Sequence, residues 1–120
     1  MDKVEDKNPA AKNGVTPFHN AAHVGHFEIC KLILENIKDK NPASLKRITP
    51  LHNAALYGHF EICKLNIESV EDKNPRDLNG ITPLHNAADK GFIDICRIMI
   101  EKIKVSVMTN VEFHNKTGII

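Results

Sequence analysis

Thr16-Pro17-Phe18-His19-Asn20-Ala21-Ala22 decides the fold of this chain, because nearly the same seven residues return twice. Residues 49–55 and 82–88 repeat them with Leu in place of Phe, and each copy begins 33 residues after the one before. Every copy is followed by a glycine and then by an Ile-Cys pair. A fixed period of this length predicts a stack of similar supersecondary units rather than one closed globule.

Each copy carries the start signal of a short helix. A threonine hydroxyl can cap the first turn, and the proline after it suits the first helical position. The glycine that follows predicts a left-handed helix end, and the apolar residues after it form a wide stripe suited to a second, buried helix. The sequence therefore predicts first helices over 17–24, 50–57 and 83–90, and second helices over 27–38, 60–71 and 93–104.

The period, the turn residues and the apolar pattern together resemble the ankyrin repeat, whose signature is Gly-x-Thr-Pro-Leu-His-x-Ala. The resemblance covers residues 4–104. It implies an all-α solenoid of helix-turn-helix units joined by β-hairpin-like loops. It divides the chain into the end of a preceding repeat's second helix (1–10), three repeats (11–43, 44–76 and 77–104) and a C-terminal tail or cap (105–120).

The two ends of the chain depart from the period. Residues 4–9 repeat residues 70–75, so we expect the chain to be a segment of a longer array. Residues 105–120 do not continue the repeat, and two interpretations stay open. They either form a disordered or irregular end, or cover the last repeat with the apolar side chains of Val105, Val107, Met108, Val111 and Phe113.

Two departures concern the segment between units. Residues 37–41 replace the Gly-Ala-Asp-Val-Asn usual in the family, which suggests a second helix longer by about a turn. Arg47 stands where the other units have Gly14 and Gly80, so the second hairpin tip must strain or change shape.

Polar residues within the units give two further expectations. Asn66 takes the apolar place of Ile33 and Met99, and a buried unpaired amide costs about 1–3 kcal/mol. We therefore expect Asn66 near the surface or hydrogen-bonded. The pairs at 39–40 and 72–73, each Asp-Lys, are interpreted as solvated surface charge.

Composition bounds the classes of function. The chain has 120 residues, 42% of them hydrophobic, and its 16 basic and 15 acidic residues leave a net charge of +1. This balance gives no footprint for nucleic acid or an anionic membrane surface. No apolar run approaches membrane-spanning length, and Met1-Asp2-Lys3 is not the start expected of a signal peptide. These features favour a soluble protein of the cytoplasm. The chain is separately predicted to be a monomer.

The three cysteines hold equivalent places in the units, at 30, 63 and 96. Neighbouring packed helices lie about 8–10 Å apart, whereas a disulfide needs Cα atoms within about 7 Å. The cysteines are therefore predicted to be free and buried, which suits a reducing compartment.

Two His-Cys pairs are the strongest candidates for a metal site in the chain. His26 with Cys30, and His59 with Cys63, lie four residues apart, a spacing that can place two ligands on one metal. Each pair supplies only two ligands, and the third copy has Phe92 instead of histidine. A helix-start histidine beside a buried cysteine is the favoured interpretation, and no metal is predicted.

The histidines of the repeated heptad are candidates for general bases only at first sight. The resemblance implies that His19, His52 and His85 hydrogen-bond backbone and tie units together. No nucleophile motif or glycine-rich phosphate loop accompanies them. No catalytic residue and no cofactor is predicted, and the chain is not expected to be an enzyme.

The positions that differ between otherwise similar copies favour recognition of a protein partner. By resemblance they map to the hairpin tips and to the concave side of the first helices, where ankyrin repeats bind proteins. Leu56 and Tyr57 are the best anchor candidates, since exposed aromatic residues are favoured at interface cores. The predicted partner-binding residues are Asn13, Asn20, His23, Val24, Lys46, Arg47, Asn53, Leu56, Tyr57, Asn79, Asn86, Asp89 and Lys90.

Two alternatives to a recognition module remain open. Near-identical repeats are also typical of a structural spacer, a stretch of a long array that has no partner of its own. The chain could equally be the recognition part of a larger enzyme or receptor. Faster drift of surface positions would produce the same variation between copies without any partner.

Overall fold

The computed structural model describes residues 6–117, and the side chains of residues 6–105. Over that range it contains only helices, turns and loops, with no strand, which confirms the all-α class. None of these helices is both long and apolar enough to cross a lipid bilayer. The helices are α1 (Pro17–Val24), α2 (Phe27–Asn36), α3 (Pro50–Leu56), α4 (Phe60–Ser69), α5 (Pro83–Lys90) and α6 (Ile93–Thr117).

The first helices begin as the sequence predicts. At the start of α1 the Thr16 hydroxyl accepts a hydrogen bond from His19 N at 3.3 Å, and Thr16 N donates to His19 Nδ1 at 3.0 Å. The same reciprocal pair opens α3 and α5. Left-handed Gly25 ends α1 with a φ of 97°. These bonds satisfy backbone groups that the first turn and last turn of a helix otherwise leave unpaired.

The second helices of the first two units, α2 and α4, end earlier than predicted, so the expectation of an extra turn is wrong. Helix α4 stops at Ser69 because Val70 turns to extended geometry and the Lys73 Nζ reaches back to the last turn. That ammonium donates to Ile67 O at 2.8 Å and to Val70 O at 2.6 Å. Lys40 donates to the corresponding carbonyls at the end of α2.

The interpretation of these lysines as solvated charge is therefore also wrong. Lys40 and Lys73 are half-buried and place a cation where the carbonyl dipoles of a helix converge. The neighbouring aspartates accept backbone hydrogen bonds instead: Asp39 Oδ1 from Asn41 N at 3.0 Å, and Asp72 Oδ1 from Asn74 N at 3.1 Å. The Asp-Lys-Asn-Pro segment is thus a helix-ending device used in two successive units.

Helix α6 runs unbroken to Thr117, beyond the predicted end at residue 104. The third unit has Ser106 in the place of the capping lysine and Met108 in the place of the proline, so both stop signals are missing. Val105 is 58% exposed. The other residues proposed to cover the last repeat have side chains outside the described range, and residues 1–5 lie outside it altogether.

The core lies between two rows of helices. Helices α1, α3 and α5 pack side by side in one row, α2, α4 and α6 form the other, and each unit's two helices pack together. Alanines at the contact, among them Ala22, Ala54 and Ala87, are fully buried and let the helix backbones approach closely. The large buried side chains between the rows are Phe18, Leu51, Ile62, Ile67, Ile95 and Met99.

Asn66 contradicts its expectation, because it lies in this core. Its side chain is 0% exposed, and neither its Oδ1 nor its Nδ2 has a hydrogen-bond partner. Asn66 thus occupies the buried place that Met99 fills in the next unit.

Candidate partner-binding face

Three hairpin tips form a continuous row along one edge of the stack. We define them as residues 10–14, 43–47 and 76–80. Each tip is closed by a backbone hydrogen bond of 2.8–2.9 Å across its turn. The tips are joined to each other as well, since Leu45 N donates to Asn13 O at 2.9 Å and Leu78 N donates to Lys46 O at 3.0 Å. The edge therefore presents its side chains at fixed spacing.

Arg47 takes the left-handed conformation that the other tips give to glycine. Its φ is 62°, compared with 83° at Gly14 and 78° at Gly80, and it is the one non-glycine residue at positive φ in the described part of the chain. The prediction of strain at this tip is confirmed. The turn keeps its shape, and Arg47 carries the cost of the conformation.

We expect Arg47→Gly to raise the free energy of unfolding by about 1 kcal/mol, since an L-residue in this region costs about 1–2 kcal/mol and glycine does not. Urea unfolding followed by circular dichroism measures the change. Lys46→Gly is the matched control, because Lys46 has negative φ and glycine there adds only chain entropy to the unfolded state. Equal effects of the two substitutions would contradict the assignment of strain to residue 47.

The row of first helices is tied together by polar side chains. His19 Nε2 donates to Ile48 O at 2.7 Å, and His52 Nε2 donates to Ile81 O at 2.8 Å. Asn53 Nδ2 donates to His19 O at 3.4 Å, and Asn86 repeats this contact with His52 O at 3.3 Å. The histidines therefore have the structural role that the resemblance implies. Asn53 and Asn86 were predicted to bind a partner, but their Nδ2 atoms donate to carbonyls of the preceding unit.

Burial sets the protonation state of these histidines. It lowers the pKa of His19 and of His52 below the ordinary value, against an opposing effect of the hydrogen bonds to Ile48 O and Ile81 O. The Nδ1 atom of each ring accepts from a threonine N–H, so a second proton on the ring would remove that acceptor. The neutral ring is the form that fits the stack.

The stack should therefore lose stability in mild acid. Because the folded pKa of His19 and His52 lies below the unfolded value of about 6.5, the unfolded chain binds more protons in this range. The stability contributed by the two neutral histidines is fully present above about pH 6.5, and it is lost as the pH falls through their pKa in the folded chain. Urea midpoints measured between about pH 7.5 and 5.5, above the range where most carboxylates titrate, should fall.

Two variants identify the groups responsible for this pH dependence. His52→Gln keeps a side chain able to complete the capping box but removes one titrating ring. The urea midpoint should therefore change less with pH than in the unmodified chain. His26→Gln is the control for the loss of a histidine that is exposed and outside the capping boxes. A midpoint that does not move with pH in the unmodified chain would refute the role of the buried histidines.

The exposed face of the first helices carries different side chains in each unit. His23 and Val24 stand in the first unit, Tyr57 in the second, and Asp89 and Lys90 in the third; all five are exposed. Val24 is 58% and Tyr57 48% exposed. The ring centroids of His23 and Tyr57 lie 4.3 Å apart at an interplanar angle of 60°, so the apolar part of this face continues across two units.

The structure brings most of the predicted binding residues to this face and its hairpin edge. Leu56 is half-buried, whereas Asn13, Asn20, Lys46, Arg47 and Asn79 are exposed. Two exposed leucines of the hairpin tips were missing from the predicted set, Leu45 (70%) and Leu78 (64%). A leucine inside a polar turn was the available signal for both.

The ring at the start of α4 and of α6 has a packing role. His59 Nε2 is 3.1 Å from His23 O, and its ring lies against Gly25, where an added Cβ would come within 2.5 Å of it. Phe92 lies against Gly58 in the same way. Phenylalanine fills the place of His59 one unit later, so a ring at this position packs against the glycine that follows the preceding unit's first helix.

Two of the three cysteines, Cys30 and Cys63, are fully buried in the core. All three are free. Burial raises the pKa of Cys30 to about 11 and of Cys63 to about 12, which disfavours the thiolate that a metal requires. Cys96 is half-buried. No three His, Cys, Asp or Glu side chains lie close enough to share a metal ion in the described range.

The repeated unit can now be compared with known families. The family model of ankyrin repeats matches in three copies, over residues 2–77 and 18–111. The chain belongs to the ankyrin repeat family. Ankyrin repeats are generally modules of protein–protein interaction and are generally non-catalytic. No significant match was found among curated proteins.

Proposed function

We propose that this chain is a non-catalytic recognition module that binds a protein partner through the row of first helices and the hairpin tips. One observation carries the proposal. The hydrogen bonds that build each unit are the same in successive copies, whereas the side chains at two equivalent positions differ. These positions hold His23-Val24, Leu56-Tyr57 and Asp89-Lys90, all of them exposed except the half-buried Leu56. A rigid scaffold with differing exposed positions is how a repeat surface acquires specificity.

Tyr57 is the proposed anchor of this face. It is 48% exposed yet held by the neighbouring His23 ring, so little side-chain freedom remains to be lost on binding. Aromatic side chains in such a setting are enriched among residues that dominate binding energy. Lys90, one unit further along, adds a charge that discriminates between partners.

The setting of the module is part of the proposal. Three free cysteines, two of them fully buried, suit a reducing compartment, and we place the chain in the cytoplasm. We further propose that it acts as a monomer with its partner.

Affinity capture from cell lysate, read out by mass spectrometry, tests the proposal. We expect the unmodified chain to retain a discrete set of proteins that is lost with Tyr57→Ala combined with Lys90→Glu. The matched control is Leu32→Ala with Lys31→Glu, which likewise truncates one exposed large side chain and reverses one charge, on the exposed side of α2, and should keep the set. Circular dichroism checks that all three proteins are folded.

Two results would count against recognition by this face. If all three proteins retain the same background, a structural spacer becomes the better account. If the control loses the partners and the Tyr57 variant keeps them, the second helices bind the partner.

A further inference from the structure

Positive charge is concentrated at the hairpin tips. The three tips together hold four basic side chains, Lys12, Lys46, Arg47 and Arg76, and one acidic side chain, Asp77. The Asp77 Oδ1 accepts from Asn79 N at 2.8 Å and from Ile81 N at 2.9 Å, so this oxygen is turned toward the tip's own backbone. The chain as a whole is nearly balanced, and the excess is therefore local to this edge.

Apolar side chains stand between these charges. Leu45 is 70% and Leu78 64% exposed, one on the second tip and one on the third. A groove between these two tips is lined by Lys46, Ile48, Asp77, Leu78 and Asn79. It offers an apolar contact beside a lysine, with Arg47 on the same tip.

The backbone at Arg47 gives an independent indication. Residues kept in an unfavourable backbone region concentrate at functional sites, and Arg47 adopts positive φ at an exposed place where Gly14 and Gly80 serve its neighbours. Packing does not require the side chain there, because Arg47 is exposed. Its guanidinium remains available for a bidentate contact with a carboxylate.

We propose that the hairpin edge binds an extended acidic segment of the partner protein. Carboxylates of that segment pair with Arg47 and Lys46, and an apolar side chain enters the groove beside Leu78. This inference rests on the proposed function and names the chemistry of its partner. A protein occupant fits better than single-stranded nucleic acid, because the tips present leucines rather than the aromatic rings on which bases stack.

Selection from a random library of twelve-residue displayed peptides on the full chain tests the inference. We expect enriched peptides to contain several Asp or Glu residues interspersed with Leu, Ile or Phe. Enriched peptides without acidic residues, whose capture is lost with Tyr57→Ala and Lys90→Glu, would overturn the acidic segment and leave the recognition module standing. No enrichment over a denatured sample of the same chain would overturn both proposals.

A synthetic peptide of alternating Glu and Leu, flanked by Gly-Ser and labelled with fluorescein, gives the affinity. Lys46→Glu with Arg47→Glu should weaken its binding about tenfold or more, and added salt should weaken binding to the unmodified chain. Lys31→Glu with Lys64→Glu makes the same change in net charge on exposed positions of α2 and α4 and should leave the affinity within about twofold.

Arg47→Gly separates binding from folding. This substitution should lower the affinity for the peptide severalfold while it raises the stability of the chain. A loss of affinity therefore cannot be attributed to unfolding. Equal losses with the tip variant and the helix control would refute a site at the tips. Tighter binding of a single-stranded thymidine oligonucleotide than of the peptide, lost with the same tip variant, would refute a protein occupant.

Discussion

Replacing His52 by alanine should lower the free energy of unfolding by about 2–4 kcal/mol, because the buried Thr49 N loses its acceptor, Ile81 O keeps only its bond from Asp77 N, and a buried ring leaves the core. The Nδ1 of His52 accepts from Thr49 N at 3.1 Å, and its Nε2 donates to Ile81 O at 2.8 Å. The ring is 2% exposed, so water cannot replace it without rearrangement of the unit. Urea unfolding at neutral pH gives the difference directly.

His85→Ala is the internal control for this prediction. His85 makes the same bonds to Thr82, at 3.1 Å from N and 2.8 Å from Oγ1, but among the described contacts it has no carbonyl of a following unit. It is also exposed. The loss should therefore stay near 1 kcal/mol or so, the usual value of a helix cap. Equal losses at 52 and 85 would show that the histidine only caps its own helix.

Removal of the amide at position 66 should have the opposite sign. We expect Asn66→Leu to raise the free energy of unfolding by about 1–3 kcal/mol, the usual cost of burying polar groups without hydrogen bonds. Leucine keeps the branching of asparagine at Cγ, and it is no larger than the methionine that fills the equivalent place in the next unit, which limits overpacking. The equivalent position in the next unit holds Met99, an apolar side chain of the same core.

Asn36→Leu tests whether the gain is specific to burial. Asn36 is exposed at the end of α2 and donates to Leu32 O at 2.8 Å, so its replacement should change stability by less than about 0.5 kcal/mol. Both variants are measured by urea unfolding. A loss of stability in Asn66→Leu would mean that the amide stabilises the core.

The parts of the fold that depend on neighbouring residues could be predicted from sequence. The Thr-Pro-x-His start sets the first turn of α1, α3 and α5 through bonds three residues apart, and these helices begin where predicted. Positive φ at Arg47 was predictable too, because Gly14 and Gly80 mark the same turn in the neighbouring units.

Contacts over longer distances were harder to predict. The end of α4 depends on Lys73, whose ammonium reaches a carbonyl six residues earlier, and a pattern of apolar residues does not contain that contact. The burial of Asn66 depends on where α4 lies in the stack, and the rule that buried amides are paired fails there. The run of α6 past residue 104 was signalled by the missing lysine and proline.

The proposed binding face combines both kinds of information. Equivalent positions in the repeats identified His23, Tyr57 and Lys90, because differences between copies are visible in the sequence alone. The ring contact between His23 and Tyr57 joins residues 34 positions apart and required the stack. The same holds for the groove beside Leu78.

Site-specific photo-crosslinking tests the central claim most directly. A benzophenone amino acid is placed at position 57 in one protein and at position 32 in another, both exposed apolar positions, on α3's C-terminal end and on α2. Irradiation in cell lysate should give a discrete cross-linked protein from position 57 and none from position 32. The same product from position 32, with none from 57, would contradict recognition through the first helices and hairpin tips.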